Sequence, residues 1–203
     1  VFGAHPVETT RVGKLMLNLK SDWLQTLIAD IDTICRSARG DAAVVASVAE
    51  RLAACDSACR LPERYRATTD AAYTQHLVHV AQDRSFSIVA LAWRPGQQTP
   101  IHDHRGWCAV AVREGAECET RYRVGHDLSG TFLTELSSHI LEAGKTVALL
   151  PDGSDVHRVA NCSGGLTVSL HVYGVDVRST GSSIASCFDA MPVRMAGAAG
   201  SSL

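Results

Sequence analysis

Among the nine histidines of this 203-residue chain, two stand one residue apart, in His102-Asp103-His104. On an extended strand, residues two apart point to the same face, so both imidazoles can aim at one point while Asp103 points away. Two imidazoles on one face begin a metal site, and a third ligand must come from another strand. His157, close after the turn Pro151-Asp152-Gly153, is the natural candidate, and His171 further along is the competitor. Three imidazoles would leave a divalent ion with open coordination positions and no compensating protein charge. Such a centre invites an anionic, chelating substrate with a small molecule beside it. Imidazoles suit Zn, Cu, Fe and Ni alike, so ligand type leaves the metal open. His5, His76, His79, His126 and His139 carry no comparable pattern and read as core or surface residues.

A second polar constellation lies in Ser169-Leu170-His171-Val172-Tyr173. The alternation puts three polar side chains on one face of an otherwise apolar strand. If that face is buried, its groups need partners, and a Ser–His–Tyr chain of hydrogen bonds is the economical arrangement. The alternative is a face turned to solvent. The seven cysteines (Cys35, Cys55, Cys59, Cys108, Cys118, Cys162 and Cys187) form an odd set with no evident disulfide framework and no CxxC pair. They predict a reducing compartment, with Cys55 and Cys59 as packing residues.

The elements that must position these groups are legible from periodicity. Leu24, Leu27, Ile28, Ile31, Ile34 and Cys35 recur at helical spacing, with Ser21 as N-cap and Gly40 beyond the end. Asp41 can cap a second helix carrying Val44, Val45, Val48 and Leu52, which stops before Pro62. After Tyr73 the texture changes to short runs rich in Val, Ile, Leu, Thr and Tyr, cut by glycine and Pro-Gly turns. Strands are predicted at roughly 73–80, 85–93, 106–113, 117–124, 131–140, 146–150, 156–161 and 166–173. That number of short strands at this spacing suggests a β-barrel or jelly roll. A single domain is expected over 1–203, with a helical extension at about 20–70, a barrel at about 71–178 and a mobile tail at about 190–203.

Charge narrows the partners. The 19 Lys and Arg against 21 Asp and Glu leave a formal charge of −2 without a polybasic run, which argues against nucleic acid or a membrane surface as partner. No apolar stretch approaches the ~20 residues of a bilayer span. The first residues, Val1-Phe2-Gly3-Ala4-His5-Pro6, lack the build of a secretory signal, and they also lack an initiator Met. A cytoplasmic protein is expected.

The two histidine segments resemble the paired motifs of the cupin superfamily. Gly96, His102, His104 and Gly115 match the first motif, with Cys108 where the motif carries glutamate. Gly144, Pro151, Gly153, His157 and Asn161 match the second, with one extra residue in each of two gaps. Within the cupins, the stretch from Tyr73 to Tyr173 is similar to the cysteine dioxygenase family, including its bacterial 3-mercaptopropionate dioxygenase branch. Tyr73-Thr74-Gln75, the three histidines, Cys108 after Trp107, and the Ser169, His171, Tyr173 triad carry this likeness.

The resemblance implies a mainly β fold, a cupin jelly-roll barrel with an N-terminal helical extension. It also implies Fe(II) on His102, His104 and His157, and addition of both atoms of O₂ to a small thiol to give a sulfinic acid. Tyr173, set by His171 and Ser169, would assist as an acid, and no organic cofactor is implied. Tyr73 and Gln75 would face the substrate, with Arg178 as a second anchor whose spacing differs from the arginine of some relatives. A Cys108–Tyr173 cross-link is suggested by the animal enzymes, although Cys108 comes one residue earlier than in them and many bacterial relatives carry glycine there. The bland alternative is a small thiol packed in the barrel wall. Glutamine at 75 offers a neutral amide where arginine would offer a charged fork. The expected substrate is therefore 3-mercaptopropionate or a similar mercapto-acid in preference to cysteine. Competing assignments are another metal-dependent cupin enzyme, an isomerase or carbon-cleaving dioxygenase, or a non-catalytic ligand-sensing cupin.

Overall fold

The structure is a computed structural model that describes residues 9–55 and 59–194. Helix α1 (Thr9–Ser37) and helix α2 (Asp41–Ala53) come first. Ser21 does not cap α1 but lies inside it, because residues 9–21 contain no proline and a single glycine to stop the helix earlier. Asp41 is likewise the first helical residue of α2 and not its cap. Gly40 takes that place at φ 80°, a left-handed conformation in which a side chain would be strained. Leu24, Leu27 and Ile31 of α1 and Val44, Val45, Val48 and Leu52 of α2 form one buried face, as their spacing predicts.

Eleven strands follow among the described residues: β1 (Thr74–Val80), β2 (Ser87–Trp93), β3 (His102–His104), β4 (Cys108–Glu114), β5 (Ala116–Asp127), β6 (Gly130–Glu142), β7 (Thr146–Leu149), β8 (His157–Asn161), β9 (Thr167–Tyr173), β10 (Ile184–Cys187) and β11 (Val193–Arg194). They form a five-stranded sheet ordered β1-β2-β9-β4-β7 and a six-stranded sheet ordered β10-β3-β8-β5-β6-β11. This is the expected mainly β jelly roll. All eight predicted strands are present. Three strands were not predicted: β3, which has only three residues, and β10 and β11, which are short and lie at the two edges of the larger sheet.

The five-stranded sheet is covered on both faces. Ile88, Ala90, Ala109, Ala111, Val168, Leu170 and Val172 pack towards the two helices, while Val89, Leu91, Trp93, Cys108, Val110 and Tyr173 belong to the interior cluster. The alternation of strand side chains thus sends one set to the helical layer and the other into the barrel. Double coverage explains why β2 and β9 are buried at every position. Gly115, at φ 73°, makes the tight turn from β4 to β5, where a side chain would collide with Thr167.

Two expectations are corrected here. Cys118 and Cys162 form a disulfide with Cα atoms 5.7 Å apart, whereas the cysteine spacing shows no evident disulfide framework and predicts a reducing compartment. The pairing of β5 with β8 sets Cys118 opposite Ala160, so two residues 44 apart in sequence meet at the sheet surface. The tail was expected to be mobile from residue 190, but Val193-Arg194 pairs in parallel with Leu133-Thr134 of β6. Asp189 anchors the same segment by accepting from the Ile101 N–H and from Arg158. Residues 195–203 lie outside the described residues. Among the described residues no helix is long and apolar enough to cross a membrane.

The helical layer is predicted to be integral to the barrel. Leu52, 1% exposed, packs in the cluster that includes Ala109 and Ala111. Leu52→Ala should therefore lower unfolding stability by about 2–5 kcal/mol, the usual cost of a large-to-small core change. Urea denaturation followed by tryptophan fluorescence measures it, and a loss near zero would show that the helices only rest on the surface.

Candidate metal centre

Strand β3 puts His102 and His104 on the interior side of the six-stranded sheet, and β8 pairs with it so that His157 is the direct cross-strand partner of His102. The three residues are 4–6% exposed. One ring nitrogen of each lies within 4.8 Å of the others, and the ring centroids are 4.7–5.0 Å apart. His171, the competitor for third ligand, lies on β9 in the facing sheet and is occupied at both nitrogens.

What orients the rings is the set of acceptors behind them. His102 Nδ1 is 2.9 Å from the Pro100 carbonyl, His104 Nδ1 is 3.2 Å from Asp155 Oδ2, and His157 Nδ1 is 2.8 Å from Glu119 Oε1. A carbonyl or an ionised carboxylate can only accept, so each Nδ1 carries the hydrogen and each Nε2 is left as a bare lone pair. Burial and the neighbouring imidazoles of His157 and His104 push His102 down to about 3, and burial likewise pushes His157 down. Burial raises the Glu119 and Asp155 carboxyls, but the hydrogen bonds with His157 and with His104 outweigh it and hold both below their usual range. Asp155 also accepts the His104 backbone N–H at 2.9 Å.

Neutral imidazoles with converging lone pairs fit a cation. His157 Nε2 is buried and without a hydrogen-bond partner, an arrangement that costs free energy unless something binds there. His102, His104 and His157 are thus the residues that would hold a divalent metal, backed by acceptors of the kind that set ligand tautomers in metal sites.

Opposite the histidines, β9 supplies the polar triad. Ser169, His171 and Tyr173 are 0%, 6% and 6% exposed, so the face is buried and its groups are paired. Ser169 Oγ is 2.9 Å from His171 Nε2, and Tyr173 Oη is 3.1 Å from His171 Nδ1. Burial pushes His171 down to about 3, so it acts as a neutral ring, and burial pushes Tyr173 well up. Trp93 Nε1 donates to Ser169 Oγ at 3.3 Å.

The other predicted residues separate into two groups. Tyr73 and Gln75 line the same cavity as the histidines and Tyr173. Tyr73 stacks on Trp93 with centroids 4.5 Å apart, and Gln75 Nε2 donates to its hydroxyl at 3.4 Å. Cys108 is fully buried and is the cross-strand partner of Tyr173 between β4 and β9. Arg178, in contrast, is absent from the cavity lining. Its side chain is 59% exposed and faces Asp176, the residue that caps α3 (Val177–Thr180). Sequence reasoning missed Asp155, Glu119 and Glu117. The last two alternate on β5 with Cys118 between them, and both are buried, at 3% and 4% for Glu117 and Glu119. A pair of acids two apart in a strand was a signal for inward-facing carboxylates.

The protein is a jelly-roll barrel with three inward imidazoles from one sheet, suited to a metal ion, and a hydrogen-bonded Ser–His–Tyr chain from the other. Its solved neighbours include a cupin superfamily protein from Desulfitobacterium hafniense, 12% identical over 54% of this chain and 84% of that one, with a TM-score of 0.39. A double-stranded β-helix protein from Klebsiella pneumoniae is 20% identical over 54% and 83%, with a TM-score of 0.39. An RmlC-like cupin from Desulfovibrio desulfuricans is 21% identical over 53% and 88%, with a TM-score of 0.37. The family model for cysteine dioxygenase type I matches residues 16–178, and the chain belongs to that family.

The acceptor behind each ring should matter nearly as much as the ring. Glu119→Gln keeps the shape and an acceptor oxygen but removes the charge, and is expected to weaken divalent-metal affinity about 10–100-fold, the usual effect of changing such a partner. His157→Ala should abolish stoichiometric binding. Competition with a chelator measures both, and unchanged affinity in Glu119→Gln would show that the carboxylate does not hold the ligand.

Proposed function

We propose that this protein is a thiol dioxygenase that uses Fe(II) on His102, His104 and His157 to convert a small thiol and O₂ into a sulfinic acid. The observation that carries this is the pairing of the two constellations: three converging imidazole lone pairs face a buried tyrosine hydroxyl backed by histidine and serine. Family membership supports the same reaction class. Bound Fe(II) would supply the redox chemistry and the coordination positions at which a thiolate and O₂ come together. The rest falls to side chains of this chain.

Tyr173 stands at the wall opposite the ligand strands, with its ring centroid 6.0 Å from that of His104. Its hydroxyl can donate a hydrogen bond or a proton to oxygen in the cavity, while His171 and Ser169 hold it in place. Leu91, Val110, Val147, Leu149 and Val159 make most of the remaining wall apolar, which excludes competing water. Cys108, directly across from Tyr173, is the partner with which a thioether to that ring would form, losing the thiol hydrogen and one ring hydrogen with O₂ as the two-electron oxidant, and peptide mass spectrometry after turnover tests for the loss of two hydrogens.

For substrate we favour a mercapto-acid such as 3-mercaptopropionate over cysteine. No Lys or Arg among the described residues lines the cavity, and the polar groups at its Tyr73 end are the Gln75 amide and the Tyr73 hydroxyl. A thiolate and a carboxylate together would balance the charge of a divalent ion on neutral imidazoles, so a chelating mercapto-acid needs no cationic anchor. We include a cytoplasmic setting in the proposal on the five cysteines that are free among the described residues, although the Cys118–Cys162 disulfide counts against a reducing compartment.

O₂ uptake with a panel of thiols after loading Fe(II) tests the activity. Thiol and O₂ should disappear together with sulfinate appearing, and O₂ uptake without sulfinate would point to another cupin reaction. Tyr173→Phe should retain iron and lower turnover by about 10²–10⁴ if the hydroxyl acts as an acid. Unchanged turnover would reduce the triad to packing. Gln75→Arg should shift kcat/KM towards cysteine by about tenfold, the worth of exchanging a neutral for a charged hydrogen bond. A wild type that already favours cysteine, or an unchanged ratio in the variant, would contradict the mercapto-acid preference.

A further inference from the structure

Glu117 is a carboxyl for which neither the metal centre nor the triad has yet required a role. It projects from β5 into the barrel, is 3% exposed and lines the cavity. The Ser169 hydroxyl and the Trp93 N–H, which donates to Ser169 Oγ, stand beside it and act on its carboxyl as nearby donors, while its Oε1 is buried with no partner. Around it stand Tyr73, Cys108 of β4, His171 and Tyr173 of β9, Glu119 of its own strand, and the imidazoles of β3 and β8. None of the cavity-lining residues is a Lys or Arg that would neutralise it.

We propose that Glu117 is the fourth member of the Ser169–His171–Tyr173 relay, a positioning residue whose protonation sets the direction of its hydrogen bonds. The inference rests on the dioxygenase proposal only for the use made of the tyrosine proton.

Donor counting gives two self-consistent states. When Glu117 is ionised it can only accept, so the Ser169 hydroxyl donates to it. Ser169 Oγ then accepts from Trp93 Nε1 and from a hydrogen on His171 Nε2. His171 Nδ1 is left bare and accepts the Tyr173 hydroxyl, so the phenol proton is turned away from the cavity. When Glu117 is protonated it donates to Ser169 Oγ, which still accepts from Trp93 and now donates to His171 Nε2. His171 carries its hydrogen on Nδ1 and donates to the Tyr173 oxygen, freeing the phenol proton to point into the cavity on the side where the Ser183 hydroxyl also meets it. Transfer through the second state balances: Glu117 loses one proton, an acceptor in the cavity gains one, and each of Ser169, His171 and Tyr173 gives one and receives one, His171 receiving at Nε2 and giving from Nδ1.

Both states lie within reach at neutral pH. Burial raises the Glu117 carboxyl to about 7, with the Ser169 hydrogen bond opposing and the Glu119 charge adding to it. His171, pushed down to about 3, stays neutral throughout and changes only its tautomer.

The His171 tautomer is read directly by long-range ¹H–¹⁵N correlation spectra. The full chain loaded with diamagnetic Zn(II), which imidazoles also bind, serves as the sample. Between about pH 5.5 and 8.5 the ring hydrogen should move from Nδ1 to Nε2 as pH rises. Glu117→Gln and Ser169→Ala should each abolish that switch while the spectrum stays folded. In the Fe(II)-loaded protein, kcat for the thiol should fall about tenfold per pH unit above the midpoint, and this limb should be missing in Glu117→Gln. One tautomer at all pH values, or a switch that survives Glu117→Gln, would overturn the inference. Because the spectroscopic arm needs no turnover, a protein that switches but oxidises no thiol would contradict the dioxygenase proposal alone.

Discussion

The structure depends on one constraint, which is that a buried imidazole must have both nitrogens accounted for. The barrel satisfies Nδ1 of His102, His104 and His157 with a carbonyl and two carboxylates, acceptors only, and thereby forces three lone pairs towards one point. Lone pairs that converge in a buried site of low dielectric repel each other, so a cation is what would complete them. The carboxylates behind His104 and His157 have a second consequence, since their charge would favour a cation at the imidazoles without their acting as ligands.

The two sheets divide the chemistry. The six-stranded sheet carries the imidazoles, and the five-stranded sheet carries Ser169, His171 and Tyr173. A jelly roll holds such facing groups more firmly than loops would, because each sits on a strand whose register is fixed by neighbours on both sides. The helices contribute by covering the outer face of the five-stranded sheet, which lets β9 present three polar groups inward while its alternate residues bury an apolar face outward. The polar chain then has to be satisfied internally, and Ser169, Trp93 and Glu117 supply that satisfaction.

Much of this was legible from spacing alone. The single-residue gap between His102 and His104 predicts a shared face, and His157 after a Pro-Asp-Gly turn proves to be the cross-strand partner. The alternation in 169–173 predicts the triad, although pattern could not decide between a buried and a solvated face. What stayed hidden depends on long-range pairing. Asp155 and Glu119 matter because of the imidazoles they meet, and Cys118 meets Cys162 only because β5 lies beside β8. The helix start failed for a different reason: serine at 21 has the chemistry of a cap, but a cap also needs the chain to leave the helix there, and it does not. Arg178 has the charge and the nearness in sequence of a carboxylate anchor, but its short helix turns it towards Asp176.

The central claim is that both atoms of O₂ reach the sulfur of a thiol at this site. Turnover of 3-mercaptopropionate by the Fe(II)-loaded protein under ¹⁸O₂ in ordinary water, with mass spectrometry of the product, tests it most directly. The account predicts a sulfinate carrying two labelled oxygens. A product with label in one oxygen or none, or labelled O₂ consumed while the thiol is recovered as its disulfide, would contradict it.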